Sequence, residues 1–342
     1  MSVKLDSLND VAKAMVAKGK GILAADESAP TCKKRFDSIN LESTEKNRNI
    51  YRDLLFTTDG MEKFISGVIL FDETIRQSTI KDNVPFPKYL SDLGVIPGIK
   101  VDAGAKNLSG SKDEKITEGL DGLSDRLKEY YELGAKFAKW RAVISINESL
   151  PSDQCIKSNA HALARYASLC QTNNIVPIVE PEILMDGHHT IHDSFITSEK
   201  VLAVVFDELR LQNVLLEGIV LKPNMVLSGY ECDEQASVEK VAQLTVEVFK
   251  RTVPVSVPGI AFLSGGQSDE LATAHLNEMN KLFGDSCPWN LTYSYGRALQ
   301  APALKGWGGD DKKIDLAQKA FYKRASLNSL ASKGEYSQEM EG

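Results

Sequence analysis

The chain has 342 residues, 42% of them hydrophobic and 25% charged, with a formal net charge of −7. That composition supports a packed core rather than disorder, and the acidic balance argues against a nucleic-acid binder, which would carry a basic patch or domain. No apolar run approaches the roughly 18 residues that a membrane span needs, so a membrane is not an expected partner either.

The N-terminal stretch MSVKLDSLNDVAKAMVAKGKG has helical apolar spacing at Leu5, Leu8, Val11, Ala12 and Met15. It carries Asp6 and Asp10 and lacks the apolar core of a signal peptide, so it reads as a mature helix of a cytoplasmic protein. Eight apolar, β-branched runs follow: GILAAD from Gly21, FISGVILFD from Phe64, VIPGIKV from Val95, FAKWRAVI from Phe137, IVPIVEPEI from Ile175, GIVLKPNM from Gly218, GIAFLSGG from Gly259 and WNLTYSYG from Trp289. They recur at intervals of about 30 to 45 residues. Between them lie helical patterns, among them Ser43–Thr57, Ser194–Leu211, Ser237–Val253 and Asp269–Phe283.

Strand then helix, repeated eight times without a long linker, predicts a single-domain α/β fold, the (β/α)₈ TIM barrel. Its strands occupy roughly residues 21–296, with a helix before the first strand. A doubly wound sheet would carry a Gly-rich phosphate loop after its first strand, where this chain has Ala25-Asp26-Glu27-Ser28 instead. After Tyr322 the chain turns small and polar, and its last dozen residues are expected to be mobile. The five cysteines are scattered, with no C-x-x-C, as suits reduced thiols.

The charged residues of these runs gather at their carboxyl ends: Asp26, Lys100 and Asp102, Lys139 and Arg141, Glu180 and Glu182, and Lys222. Ser264-Gly265-Gly266 closes the seventh run and Tyr295-Gly296-Arg297 the eighth. In a parallel barrel those ends form one face, where active sites are built. Pairs two residues apart share one side of a strand.

Lys222 is the most informative residue, because an ammonium at the end of a buried strand must snorkel, pair with a carboxylate, or lose its proton and act as a nucleophile. Lys139 and Arg141 nearby would disfavour its charged form. Glu180 and Glu182 can shuttle the protons that an imine requires. The Ser264-Gly265-Gly266 turn with Arg297 suits a phosphate, and Lys100, Ser28 and Arg141 suit a second anion. Two anion sites flanking a nucleophilic lysine point to a bisphosphorylated carbonyl compound.

At these residues the chain resembles the class I fructose-bisphosphate aldolases, through GILAADES (21–28), GIKVD (98–102), FAKWRAV (137–143), VPIVEPEIL (176–184), LKPNMV (221–226), FLSGGQS (262–268) and SYGRALQ (294–300). The resemblance implies reversible cleavage of fructose 1,6-bisphosphate, with no cofactor and no metal, by a cytosolic homotetramer whose partners are sugar phosphates. It implies that Lys222 forms the Schiff base, Glu180 is the acid/base for dehydration, Asp26 takes the C4 hydroxyl proton, Lys139 stabilises charge and Glu182 orients the lysines. Ser264, Gly265, Gly266, Gly296 and Arg297 would hold the C1 phosphate. Lys100, Arg141, Ser28, Thr31 and Arg35 would hold the other end.

Two departures stand out. Animal members carry a terminal tyrosine on a longer tail, whereas the last tyrosine here is Tyr336. Ala29-Pro30-Thr31 follows ADES, with Pro30 expected to fix a loop and Thr31 standing where a serine is more common. The histidine-rich HHTIH, His188 to His192, lacks the central glutamate of a zinc motif and reads as a surface or supporting cluster. A related Schiff-base lyase and a silent scaffold on the same frame are the alternatives, and the scaffold reading is disfavoured by the presence of Lys222, Glu180 and Asp26.

Overall fold

Apolar runs without alternation need cover on both faces, and here they obtain it by closing on themselves under a ring of helices. The computed structural model describes residues 7–342. Leu5 and Asp6 of the predicted first helix lie outside the described residues. Each predicted run contains a strand: β1 Gly21–Ala24, β2 Ile65–Leu70, β3 Ile96–Lys100, β4 Phe137–Ile144, β5 Val176–Ile183, β6 Val220–Leu221, β7 Gly259–Phe262 and β8 Asn290–Tyr295. All neighbours are parallel, and β8 pairs with β1 to close the barrel. A two-stranded antiparallel ribbon, Ala105–Asn107 with Lys115–Thr117, was not anticipated, because it is short, largely exposed and carries no apolar run.

The barrel interior is filled from one end. Ile22, Ala24, Ile69, Phe137, Ile178, Val220 and Ala261 form one buried cluster with Val11, Ala12 and Met15 of the helix Leu8–Met15. That helix closes the end where strands begin: Ser66 at the start of β2 donates to the Met15 carbonyl at 2.6 Å. Phe137 needs a bare backbone beside it, since a Cβ on Gly98 would lie 2.2 Å from its ring. With the lower end packed, the space left in the barrel opens at the carboxyl ends of the strands.

The tail after Tyr322 makes more contacts than its small, polar composition implies. KRASLNSLA continues the helix Ile314–Ala331, which buries Arg324, Ala325, Leu327 and Asn328. Residues beyond it fold back along the helix Asp269–Phe283: the Tyr336 N–H donates to Asn277 Oδ1 at 2.9 Å. Glu341 accepts two hydrogen bonds from the buried Arg324 guanidinium, each at 2.8 Å. A polar composition hid these anchors, since their partners lie on other elements.

Candidate active site

Parallel register brings the charges together. In the β3–β4 pair Lys100 faces Lys139, and in the β4–β5 pair Arg141 faces Glu180 and Val143 faces Glu182. Lys222 follows β6 directly, with its N–H bound to the Val179 carbonyl at 2.8 Å. All the catalytic and phosphate-binding candidates from the sequence line one cavity of about 840 Å³ at the open end.

At its floor four side chains alternate in charge. Lys222 Nζ lies 3.2 Å from Glu180 Oε1, Lys139 Nζ lies 3.6 Å from Glu180 Oε2, and Lys139 Nζ lies 2.6 Å from Asp26 Oδ2. Lys222, Glu180 and Lys139 are each less than 5% exposed. Burial alone would raise the Asp26 pKa, but the Lys139 and Lys222 ammoniums outweigh it and hold the carboxyl well below its ordinary range. Burial likewise opposes the charge on Lys139, yet Asp26, Glu180 and Asp102 reverse that effect and raise its pKa, so it stays a cation. The closest charged partner of Lys222 is therefore a carboxylate, not the cations that its sequence neighbours suggested.

Glu182 also differs from expectation. Its carboxylate accepts from Arg141 Nε rather than contacting either lysine, so it orients the guanidinium. Glu182 thus acts on the lysines at most through Arg141.

Above this floor lie two cationic rims. In the Ser264-Gly265-Gly266 turn the glycines have φ of +58° and +84°, a region that favours glycine, and the turn bares backbone amides. Facing it, Gly296 and Arg297 open the helix Arg297–Trp307, so a guanidinium and a helix N-terminus point at the same space. After β1, which pairs with β8, Ser28 and Thr31 share a hydrogen bond at 3.1 Å. Lys100 Nζ rests on Asp102 Oδ1 at 2.6 Å, and Arg35 Nη1 rests on Glu27 Oε1 at 2.7 Å. Pro30 does not sit in a loop as expected: it lies in the first turn of the helix Ala29–Asp37, where its fixed φ fits and its missing N–H costs nothing.

A family model described as fructose-bisphosphate aldolase class-I matches residues 7–342. The chain belongs to that family. A relative from Xanthomonas campestris pv. campestris, named probable fructose-bisphosphate aldolase class 1, is 56% identical over 335 residues, spanning 98% of this chain and 99% of its own. The Arabidopsis thaliana protein named fructose-bisphosphate aldolase 4, cytosolic, is 53% identical over 318 residues, 93% of this chain and 80% of its own. Among solved structures, Plasmodium falciparum fructose-bisphosphate aldolase, crystallised with TRAP and a small-molecule inhibitor, superimposes with a TM-score of 0.94 at 52% identity, covering 96% of this chain and 95% of that one.

Family membership makes this chain an aldolase, hence a lyase on a TIM barrel. Some parts of the aldolase site escaped the sequence reading. Glu27 is 8% exposed and gathers Arg35, Arg52 at 2.7 Å and Gln300 at 3.0 Å. It ties the helix Ala29–Asp37 to the helix Glu45–Phe56 and to the one that starts at Arg297. Its position next to Asp26 was the only available signal. Tyr230 lines the cavity from a loop with no periodicity to betray it. In HHTIH, His188 binds the Glu231 carbonyl at 2.7 Å, His189 is buried, and His192 lies exposed in the first turn of the helix Ile191–Leu211. Among the described residues no group of three or more His, Cys, Asp or Glu side chains is placed to hold a metal ion.

Proposed function

We propose that this aldolase cleaves fructose 1,6-bisphosphate reversibly to dihydroxyacetone phosphate and glyceraldehyde 3-phosphate through a Schiff base on Lys222, without a metal. The observation that carries the reading is the 3.2 Å contact between Lys222 Nζ and Glu180, buried at the cavity floor. An amine attacks a carbonyl only after losing a proton, and Glu180 is within reach to accept it. Attack on C2 gives a carbinolamine. Return of a proton from Glu180 to the departing hydroxyl releases water and leaves an iminium.

That iminium draws in the electron pair of the C3–C4 bond. Breaking the bond requires the C4 hydroxyl to lose its proton as the aldehyde forms. Asp26, held ionised beside Lys139, is the base for that step, and the Lys139 cation stabilises the charge that develops. The cavity lining carries two groups of anion-binding side chains and amides, which suits a substrate with a phosphate at each end. Ser264, Gly265, Gly266, Gly296 and Arg297 take the C1 phosphate. Lys100, Arg141 and Arg35 take the other, after exchanging their carboxylate partners for it, and Ser28 and Thr31 add hydroxyls.

Lys222→Ala tests the proposal. Turnover should fall by more than about a thousandfold with circular dichroism unchanged, and steady-state cleavage near the wild-type rate would move the nucleophile elsewhere. We further propose a cytoplasmic homotetramer. The cytosolic Arabidopsis relative and five free thiols support the compartment, and the family resemblance supports the assembly. Light scattering should return the mass of four chains, and a monomer would overturn the assembly.

A further inference from the structure

Tyr230 is an exposed aromatic side chain on a rigid backbone, and nothing in the mechanism uses it. Its segment is stitched to the loop after β5: Gly229 N–H donates to the His189 carbonyl at 2.8 Å, Tyr230 N–H to Met185 at 2.8 Å and Glu231 N–H to Gly187 at 3.0 Å. Gln235 adds a bond to the Gly229 carbonyl at 2.8 Å. The backbones approach so closely that a Cβ on Gly229 would fall 2.1 Å from the Gly187 oxygen. This bracing is more than a solvent-facing tyrosine requires, for the ring is 49% exposed.

The phenol reaches across the cavity mouth and donates to the Gly265 carbonyl. It lies beside Arg297, since a Cβ on Gly266 would come within 2.6 Å of Arg297 Nη2 and 2.7 Å of the Tyr230 hydroxyl. In a trans peptide the carbonyl and the following N–H point in opposite directions. A donor that fixes the Gly265 carbonyl therefore fixes the Gly266 N–H, and polarises it by cooperativity. Among the described residues the Gly265 and Gly266 N–H groups have no acceptor, which leaves both free for a ligand. Both glycines sit at positive φ, so the turn has backbone freedom that something must restrict.

We propose that Tyr230 is a positioning residue for the phosphate subsite at Ser264-Gly265-Gly266, orienting the Gly266 amide toward a phosphate monoester and so setting preference for substrates phosphorylated at that end. This rests on the reading of the site given above. The phenol is protonated at neutral pH, and partial burial raises its pKa further.

The test is Tyr230→Phe, which keeps the ring and removes the donor. KM for fructose 1,6-bisphosphate should rise about five- to tenfold, the worth of the one neutral hydrogen bond lost between the phenol and the Gly265 carbonyl, while kcat changes less than about twofold. Inhibition by inorganic phosphate should weaken by a similar factor. Tyr230→Leu gives the same rise should the Phe variant prove unstable. An unchanged KM, a lowered KM or a loss confined to kcat overturns the proposal. Borohydride labelling of wild-type Lys222 in the presence of dihydroxyacetone phosphate separates the cases: labelled Lys222 with an unchanged KM defeats only the role of Tyr230, whereas unlabelled Lys222 defeats the site reading itself.

Discussion

Asp26, Lys139, Glu180 and Lys222 depend on each other because water screens none of them well. Removing one partner of a buried ion pair strands the other charge, which is costlier than losing an exposed pair. Lys139 is the pivot, with carboxylates at 2.6 and 3.6 Å. Lys139→Met should lower kcat by about 10²–10³, the usual cost of removing a preorganised charge stabiliser. It should also move the acid limb of the kcat/KM profile to higher pH, since burial of Asp26 is then opposed only by the weaker effects of Lys222 and Lys100. The stability sign agrees: the folded pKa of Asp26 is depressed, so its contribution is full above its unfolded value of 3.8 and is lost as pH falls below it. An acid limb unmoved in Lys139→Met would show that Asp26 is not the group being read. These four residues were legible in the sequence because period-2 spacing and strand-end position sort them onto one face. Pairing among them was not legible, since which carboxylate meets which cation depends on register between strands; hence Arg141, not a lysine, has Glu182.

Supporting elements add a second layer of control, seen best in the helix Asp269–Phe283. His275 on that helix bonds Gln267 Oε1 at 2.6 Å, and Gln267 donates to the Ser264 carbonyl at 2.9 Å, which steadies the Ser264-Gly265-Gly266 turn. Burial pushes the His275 pKa down to about 4 from an ordinary 6.5. The unfolded chain therefore takes up a proton below about pH 6.5 that the folded one refuses until about pH 4, and stability is lost as pH falls through that window. His275→Asn should be less stable than wild type at pH 7, and the gap in unfolding free energy should narrow by about 2 kcal/mol by pH 5. A gap independent of pH would mean that His275 titrates normally. Helix bounds were legible where capping is local. Thr44 caps the helix Glu45–Phe56 through the Asn47 N–H at 3.1 Å, within the predicted Ser43–Thr57. The helix expected from Ser194 begins instead at Ile191, because Thr190 and Asp193 form a reciprocal capping box that lies in the histidine-rich stretch.

At the scale of the molecule, eight apolar runs at βα spacing were enough to give the barrel, since only closure covers both faces of such strands without edges. The ribbon after β3 and the anchored tail were not legible. Their stability comes from partners distant in sequence, such as Arg324 for Glu341, and their own composition is that of a loop. One consequence of the closed barrel is that it packs its lower end with the first helix and leaves a single face for chemistry, with Lys222 at the bottom of the cavity. Borohydride trapping reads that arrangement most directly: incubate the protein with dihydroxyacetone phosphate, reduce, digest and locate the added mass by peptide mass spectrometry. The account predicts one adduct per chain, on Lys222. An adduct on another lysine, or none while the substrate is shown to bind, would contradict it.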